Sequence, residues 1–143
     1  MNSFYCLALF LAVANAKIYT DCSTKPLSEI TSIDVQDCTA TPCVLKRGGK
    51  TELKINFNSL TSSTKLTTKV YGVIGGIKIP WTGLPANACG SVSCPLTSGN
   101  SYEYKNSIAV LPSYPAIKVD VQFEFKADNG DNVLCFKIPV QLQ

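Results

Sequence analysis

Two pairs of aspartates, Asp34 with Asp37 and Asp128 with Asp131, stand close enough in sequence for one carboxyl to act as an acid while its neighbour acts as a base. Each pair lies among turn and strand-end residues, however, where solvated carboxylates are ordinary, so a surface role is the expectation. The chain has no histidine, which removes the usual general base for a Ser or Cys nucleophile and the commonest metal ligand. No glycine pattern follows a strand and opens a helix in the manner of a phosphate cradle. Catalysis is therefore not expected. The remaining reactive groups are seven cysteines, and their fate depends on the compartment.

The first sixteen residues carry no charged side chain, include the apolar run Phe4 to Val13 and end in Ala14-Asn15-Ala16. A short apolar stretch before a small-x-small site reads as a secretory signal peptide over residues 1–16, too short to span a bilayer as a helix. Nothing later is long and apolar enough to span either. Residues 17–143 are then expected as one secreted, extracellular domain, with Cys6 removed and six cysteines left in an oxidising environment. Six cysteines allow fifteen pairings. Cys38 with Cys43 and Cys89 with Cys94 each enclose four residues, a spacing suited to local staples, which leaves Cys22 with Cys135. That last bridge would close a loop of more than about a hundred residues and remove roughly 4–5 kcal/mol of unfolded-state freedom. Zinc is disfavoured, because the pairs are not two residues apart and no histidine accompanies them. No metal or cofactor is expected.

The elements that must position any site read as strands. Lys17 to Cys22 forms a first short one, and Ile30, Ile33 and Val35 mark a second that ends at the first staple. Lys46-Arg47-Gly48-Gly49 is a turn with a solvated basic pair. Leu53, Ile55 and Phe57 alternate with Lys54, Asn56 and Asn58, and Leu66, Thr68 and Val70 with Lys65, Thr67 and Lys69, the period of a half-buried strand. Gly72, Gly75 and Gly76 suggest a bulge, a turn or a close backbone approach. Tyr102 to Val110 continues the apolar series. The clearest signal is Ile117, Val119, Val121, Phe123 and Phe125 alternating with charged and polar residues, then an Asn129-Gly130 turn and the returning arm Leu134, Phe136, Ile138, Val140 and Leu142. No apolar period of helical length occurs. Seven to eight antiparallel strands in an all-β sandwich follow.

The stretch Tyr71 to Cys94 gathers the chain's single Trp, several glycines, two prolines and one staple. Ile77, Ile79 and Trp81 share one side of a strand by period two. Pro80 lacks a ladder N–H and marks that strand as an edge. Trp81 then either plugs a sandwich core or lies at an opening between sheets; these residues alone leave both open. Thirteen basic against ten acidic side chains give a net charge of +3 spread along the chain. That is too mild and too dispersed for a nucleic-acid reader or for recruitment to a membrane by charge.

At Cys94-Pro95-Leu96, Gly99, Tyr102-Glu103-Tyr104, Tyr114-Pro115, Cys135 and Ile138-Pro139-Val140, with Ile79-Pro80-Trp81 eight residues before Cys89, the chain resembles the Niemann-Pick type C2 proteins of the ML lipid-recognition superfamily, especially arthropod members. The resemblance spans essentially all of residues 17–143. It implies an immunoglobulin-like β-sandwich whose sheets are splayed around an apolar cavity. It also places the family's pocket-mouth aromatic on Trp81, where Phe is typical, and the opposite lip on Val110 and Tyr114. Alternation adds Phe57, Val70, Ile77, Ile79, Tyr104, Val119, Val121, Phe123 and Phe136 as deeper lining. The function implied is a monomeric secreted carrier of a small hydrophobic ligand, a fatty acid or related semiochemical. A sterol carrier and a lipid-dependent recognition module are the alternatives. The mature chain has no Asn-x-Ser/Thr sequon, so secretion rather than glycan-sorted lysosomal delivery is expected.

Overall fold

The computed structural model describes residues 17–143; the segment read as a signal peptide, with Cys6, lies outside the described residues. Nine strands run in the order β1 (Thr20–Asp21), β2 (Ser28–Val35), β3 (Cys43–Leu45), β4 (Lys50–Ser59), β5 (Thr67–Ile74), β6 (Ile77–Trp81), β7 (Ser101–Ala109), β8 (Lys118–Lys126) and β9 (Asn132–Leu142). One turn of 3₁₀ helix, Ala88–Gly90, interrupts them. The larger sheet is ordered β1-β9-β8-β5-β6, with β3 also lying along β9, and the smaller is β2-β4-β7. The chain is thus an all-β sandwich. Its strand count exceeds the sequence reading because of β3, three residues paired parallel to β9, too short to show a period. The first strand shrinks to two residues.

Alternation sets which face each strand buries. β4 turns Leu53, Ile55 and Phe57 inward, β8 turns Val121, Phe123 and Phe125, and β9 turns Leu134, Phe136, Ile138, Val140 and Leu142, all buried. In β2 the pairing shifts between Ile30 and Ser32. This bulge leaves Thr31 out of register, its hydroxyl donating to the Asn56 carbonyl at 2.9 Å, and so returns Ile30 and Ile33, three apart in sequence, to one face. At one end the sheets are pinned together by Tyr104 of β7 against Phe125 of β8, edge to face at 4.9 Å. Phe123 stacks on Phe136 at 4.9 Å beside them.

The outer face of the larger sheet departs from strict polar exposure. Gln122 and Glu124 are buried there, because β8 is central and long side chains fold over it. Lys78 and Lys126 reach the Glu124 carboxylate at 3.6 and 3.7 Å, and the Lys78 ammonium also lies over the Tyr71 ring at 5.1 Å. Cys135 is opposite Glu124 in the β8–β9 register, so its disulfide with Cys22 lies on this outer face. The two local bridges, Cys38–Cys43 and Cys89–Cys94, are formed as well.

Asp128, in the β8–β9 turn, holds the neighbouring loop. Its carboxylate accepts the Thr64 N–H at 2.8 Å, the Thr64 hydroxyl at 2.8 Å and the Lys65 N–H at 2.9 Å. Led by the Thr64 N–H, these bonds hold its pKa below the usual carboxylate value. A depressed folded pKa contributes stability above the unfolded carboxylate range, lost as the pH falls through the folded value. Asp128→Asn should therefore lower the melting temperature at neutral pH, with the gap to wild type closing below about pH 4. A pH series of thermal melts checks this; a gap independent of pH would assign the loss to packing alone.

Candidate functional site

The larger sheet overhangs the smaller one. Five strands lie along its main path and three along the other, and the smaller sheet meets the β6 end only through β7, where Ile108 lies behind Trp81 and the Ala109 N–H donates to the Gly83 carbonyl at 3.1 Å. The space beneath that overhang is a cavity of about 180 Å³. Its walls are Gly72, Ile74, Ile79, Pro80 and Trp81 from the β5–β6 hairpin, Val119 and Val121 from β8, Leu142 from β9, and Tyr114, Pro115 and Ile117 from the β7–β8 connection. No side chain of the smaller sheet takes part. The roof is a loop.

Local sequence explains each wall. Gly75 and Gly76 both take positive φ, 56° and 79°, which lets β5 turn into β6 within two residues. Pro80 pairs opposite Tyr71 on the outermost strand, where its missing N–H costs no ladder bond. Gly72 sits on the inward-facing parity of β5; a Cβ there would stand 3.4 Å from Val119 Cγ2, so its lack of a side chain opens the cavity floor. The roof is tied at its base and near its tip. Gly48 N–H donates to the Val110 carbonyl at 2.6 Å, and the Arg47 guanidinium donates to the Tyr114 carbonyl at 3.1 Å. Arg47 thus braces a lip instead of merely solvating a turn.

Trp81 and Tyr114 meet edge to face across the mouth, ring centres 5.8 Å apart at 80°. Behind Trp81 lies a void of about 10 Å³ lined by Trp81, Val121, Phe123, Ile108, Ile138 and others, room for no more than about one water. Trp81 and Val121 therefore separate the outer cavity from the packed interior. The indole leans on the Gly83 backbone, where a Cβ would fall 3.0 Å from Cε2 and 3.2 Å from Cζ2. Gly83→Ala should push the ring toward Tyr114, destabilise the fold by roughly 1–3 kcal/mol and weaken ligand affinity several-fold. Thermal denaturation and ligand titration check the two effects; unchanged affinity would detach the ring's position from binding.

Of the residues singled out in the sequence, Trp81, Ile79, Tyr114, Val119 and Val121 border the cavity and Phe123 the small void behind it. Val110 is buried at the root of the roof loop. Ile77 shares the parity of Trp81 but projects from the hairpin tip, 68% exposed. Val70, Phe57, Tyr104 and Phe136 sit in the packed core. Burial pushes the Tyr104 phenol pKa up, with Asn106, Thr68 and Ser91 drawing it partly back. Gly72, Ile74, Pro80, Pro115, Ile117 and Leu142 are wall residues that sequence reasoning missed, although Ile117 and Leu142 simply extend the period of β8 and β9.

The wall is hydrocarbon apart from the Tyr114 phenol and the Trp81 indole. It holds no carboxylate, amine or thiol, and among the described residues no cluster of His, Cys, Asp or Glu could hold a metal. Asp34, Asp37, Asp128 and Asp131 all lie elsewhere. Such a site excludes water and takes up apolar surface. A wider open groove of about 740 Å³ runs between residues 64–67 and 86–95, where Thr64, Lys65, Thr67 and Asn87 alternate with Leu66, Ala86, Pro95 and the Cys89–Cys94 bridge, so polar groups are interspersed through a mostly apolar lining.

A family model described as ML domain matches residues 16–142. The chain is similar to an ecdysteroid-regulated 16 kDa protein of Manduca sexta, 35% identical over 99% of each chain. It is also similar to the NPC intracellular cholesterol transporter 2 of Mus musculus, 33% identical over 87% of this chain and 83% of the relative. Its fold matches a Niemann-Pick type C2 protein from Japanese carpenter ant with a TM-score of 0.81 at 20% identity, covering 88% of this chain and 99% of that one. The chain therefore belongs to the ML-domain family, as a relative of the Niemann-Pick type C2 proteins.

Proposed function

We propose that the protein is a secreted, non-enzymatic carrier that takes a long-chain lipid, a fatty acid or related semiochemical, into the cavity beneath the β5–β6 edge. The observation that carries this reading is the cavity wall itself, built almost wholly from hydrocarbon side chains and closed at the mouth by the Trp81–Tyr114 pair. Affinity comes from desolvation. At about 0.8 kcal/mol per buried CH₂, about sixteen methylenes contribute about 13 kcal/mol gross, enough for micromolar binding after an association cost of about 4 kcal/mol.

The cavity of about 180 Å³ is below the roughly 300–1,000 Å³ of sites that enclose a small molecule. Uptake of a whole chain in this reading parts Trp81 from Tyr114 and opens a continuous path to the void behind. The loop roof supports that step, because its backbone bonds to the rest of the chain lie at its two ends, Val110 with Gly48 and Gly49 and Ile117 with Leu142, and its middle, held by the Arg47 bond, yields more readily than a strand.

A sterol is the second reading, favoured by the likeness to a relative named as a cholesterol transporter. Displacement of a fluorescent fatty acid by oleate and by cholesterol separates the two. Saturable displacement by oleate with little by cholesterol is the expected result. The reverse order would make the sterol reading the better one, and no saturable displacement by any lipid would sink both.

A further inference from the structure

We infer that Trp81 is the specificity-determining residue of the cavity: its indole N–H donates a hydrogen bond to an acceptor oxygen of the bound lipid, so the site selects oxygenated chains over plain hydrocarbons. This rests on the lipid-carrier reading and adds to it the chemistry that the ligand must carry.

Three observations converge on this atom. The Trp81 Nε1 is buried and has no acceptor among the described residues, an arrangement folded chains rarely leave unanswered, and it becomes open to a ligand as the entering chain parts the ring from Tyr114. Trp81 borders both the outer cavity and the void behind it, so a chain threading from one to the other must pass the ring. The ring also backs onto the Gly83 backbone, which limits how far it can swing once an entering chain parts it from Tyr114 and so lowers the cost of ordering it.

Two other buried polar atoms, Thr68 Oγ1 and Tyr104 Oη, lack a partner at full hydrogen-bond geometry among the described residues, but they neighbour one another, and Asn106 and Ser91 lie beside the phenol as well. Neither residue lines the cavity, and Tyr104 packs on Phe125 at the closed end of the sandwich. They do not compete for the same ligand atom. Around Trp81 the walls are aliphatic or proline apart from Tyr114, so a hydrocarbon leaves the indole N–H unpaired, whereas a carbonyl, carboxyl or hydroxyl oxygen satisfies it. A site with a buried donor discriminates against the analogue that lacks the acceptor, here by about tenfold for one neutral hydrogen bond.

The test uses N-phenyl-1-naphthylamine as an apolar reporter, displaced by dodecane, 2-dodecanone, dodecan-1-ol and dodecanoic acid from wild-type protein and from Trp81→Phe. Phenylalanine keeps an aromatic wall and removes the N–H. The ratio of 2-dodecanone to dodecane affinity should fall about tenfold in the variant. Because the chain has one Trp, its indole N–H gives a single NMR resonance in wild-type protein, independent of how the variant folds. That resonance should move downfield with 2-dodecanone and not with dodecane. An unchanged affinity ratio together with an indole resonance that responds equally to both ligands would overturn the inference while leaving the carrier reading intact. Failure of every lipid to displace the dye from wild-type protein would overturn the carrier reading itself.

Discussion

Trp81→Ala is expected to weaken lipid binding by between one and two decades while costing the fold less than the loss of a fully buried Trp. A Trp side chain offers about 150–250 Å² of contact surface. If roughly 100 Å² of it faces the ligand, the loss is about 2.5 kcal/mol, nearly two factors of ten in Kd. Truncating a fully buried Trp costs the fold roughly 3–5 kcal/mol. Trp81 stays below that range because it is only partly buried, on an edge strand, and borders the cavity on one side while packing on the core with the other. Tyr114→Ala should act in the same direction and more weakly, since the phenol meets the ligand only at the mouth. Calorimetric titration of the folded variants and their thermal melts separate the two quantities. A collapsed melting temperature with an unchanged Kd in the folded fraction would make Trp81 a core plug and remove the cavity's claim to function.

The second large effect has the opposite character. Replacing Cys22 and Cys135 together by Ser should lower the unfolding free energy by about 4–5 kcal/mol, because this bridge spans 113 residues and restricts the unfolded chain most. Either local bridge, at a sequence separation of 5, accounts for about 2 kcal/mol on the same entropic scale. β1 pairs with β9 through two residues only, so without the covalent tie the N-terminal strand has little to hold it. Lipid affinity of the folded fraction should stay unchanged, since Cys135 faces away from the cavity, opposite Glu124 in register. Denaturant unfolding of the double variant checks the first part and lipid titration the second. A loss no larger than that of a local staple would contradict the chain-entropy argument.

Period-two patterning made β4, β8 and β9 legible in the sequence, because each has a face buried along most of its length and polar partners opposite. Pro80 likewise marked β6 as an edge strand, on account of its missing donor. What patterning could not supply is the width of the facing sheet. Ile77, Ile79 and Trp81 share one parity, yet their burial differs because β7 meets only the Trp81 end of β6, at Ile108 and the Gly83–Ala109 bond, and the hairpin tip is left in solvent. The same mismatch explains why Phe57, Tyr104 and Phe136, inward by parity, are packed core and not cavity wall. They lie where the two sheets face one another.

Arg47 and the β7–β8 connection were opaque for a different reason. A basic residue beside two glycines looks like any solvated turn, and only the folded chain brings its guanidinium to the Tyr114 carbonyl, 67 positions away in sequence. β3 escaped because three residues cannot display a period. The bulge at Thr31 was invisible as a bulge, although the three-residue gap between Ile30 and Ile33 was its trace.

Photo-labelling with a hexadecanoic acid that carries a diazirine on its chain, followed by peptide mass spectrometry, tests the cavity most directly. Label should appear on peptides containing residues 72–81 and 114–121 and should be displaced by unlabelled oleate. Label confined to the wider groove around residues 64–67 and 86–95, or insensitive to oleate, would contradict the assignment of lipid binding to the space beneath the β5–β6 edge.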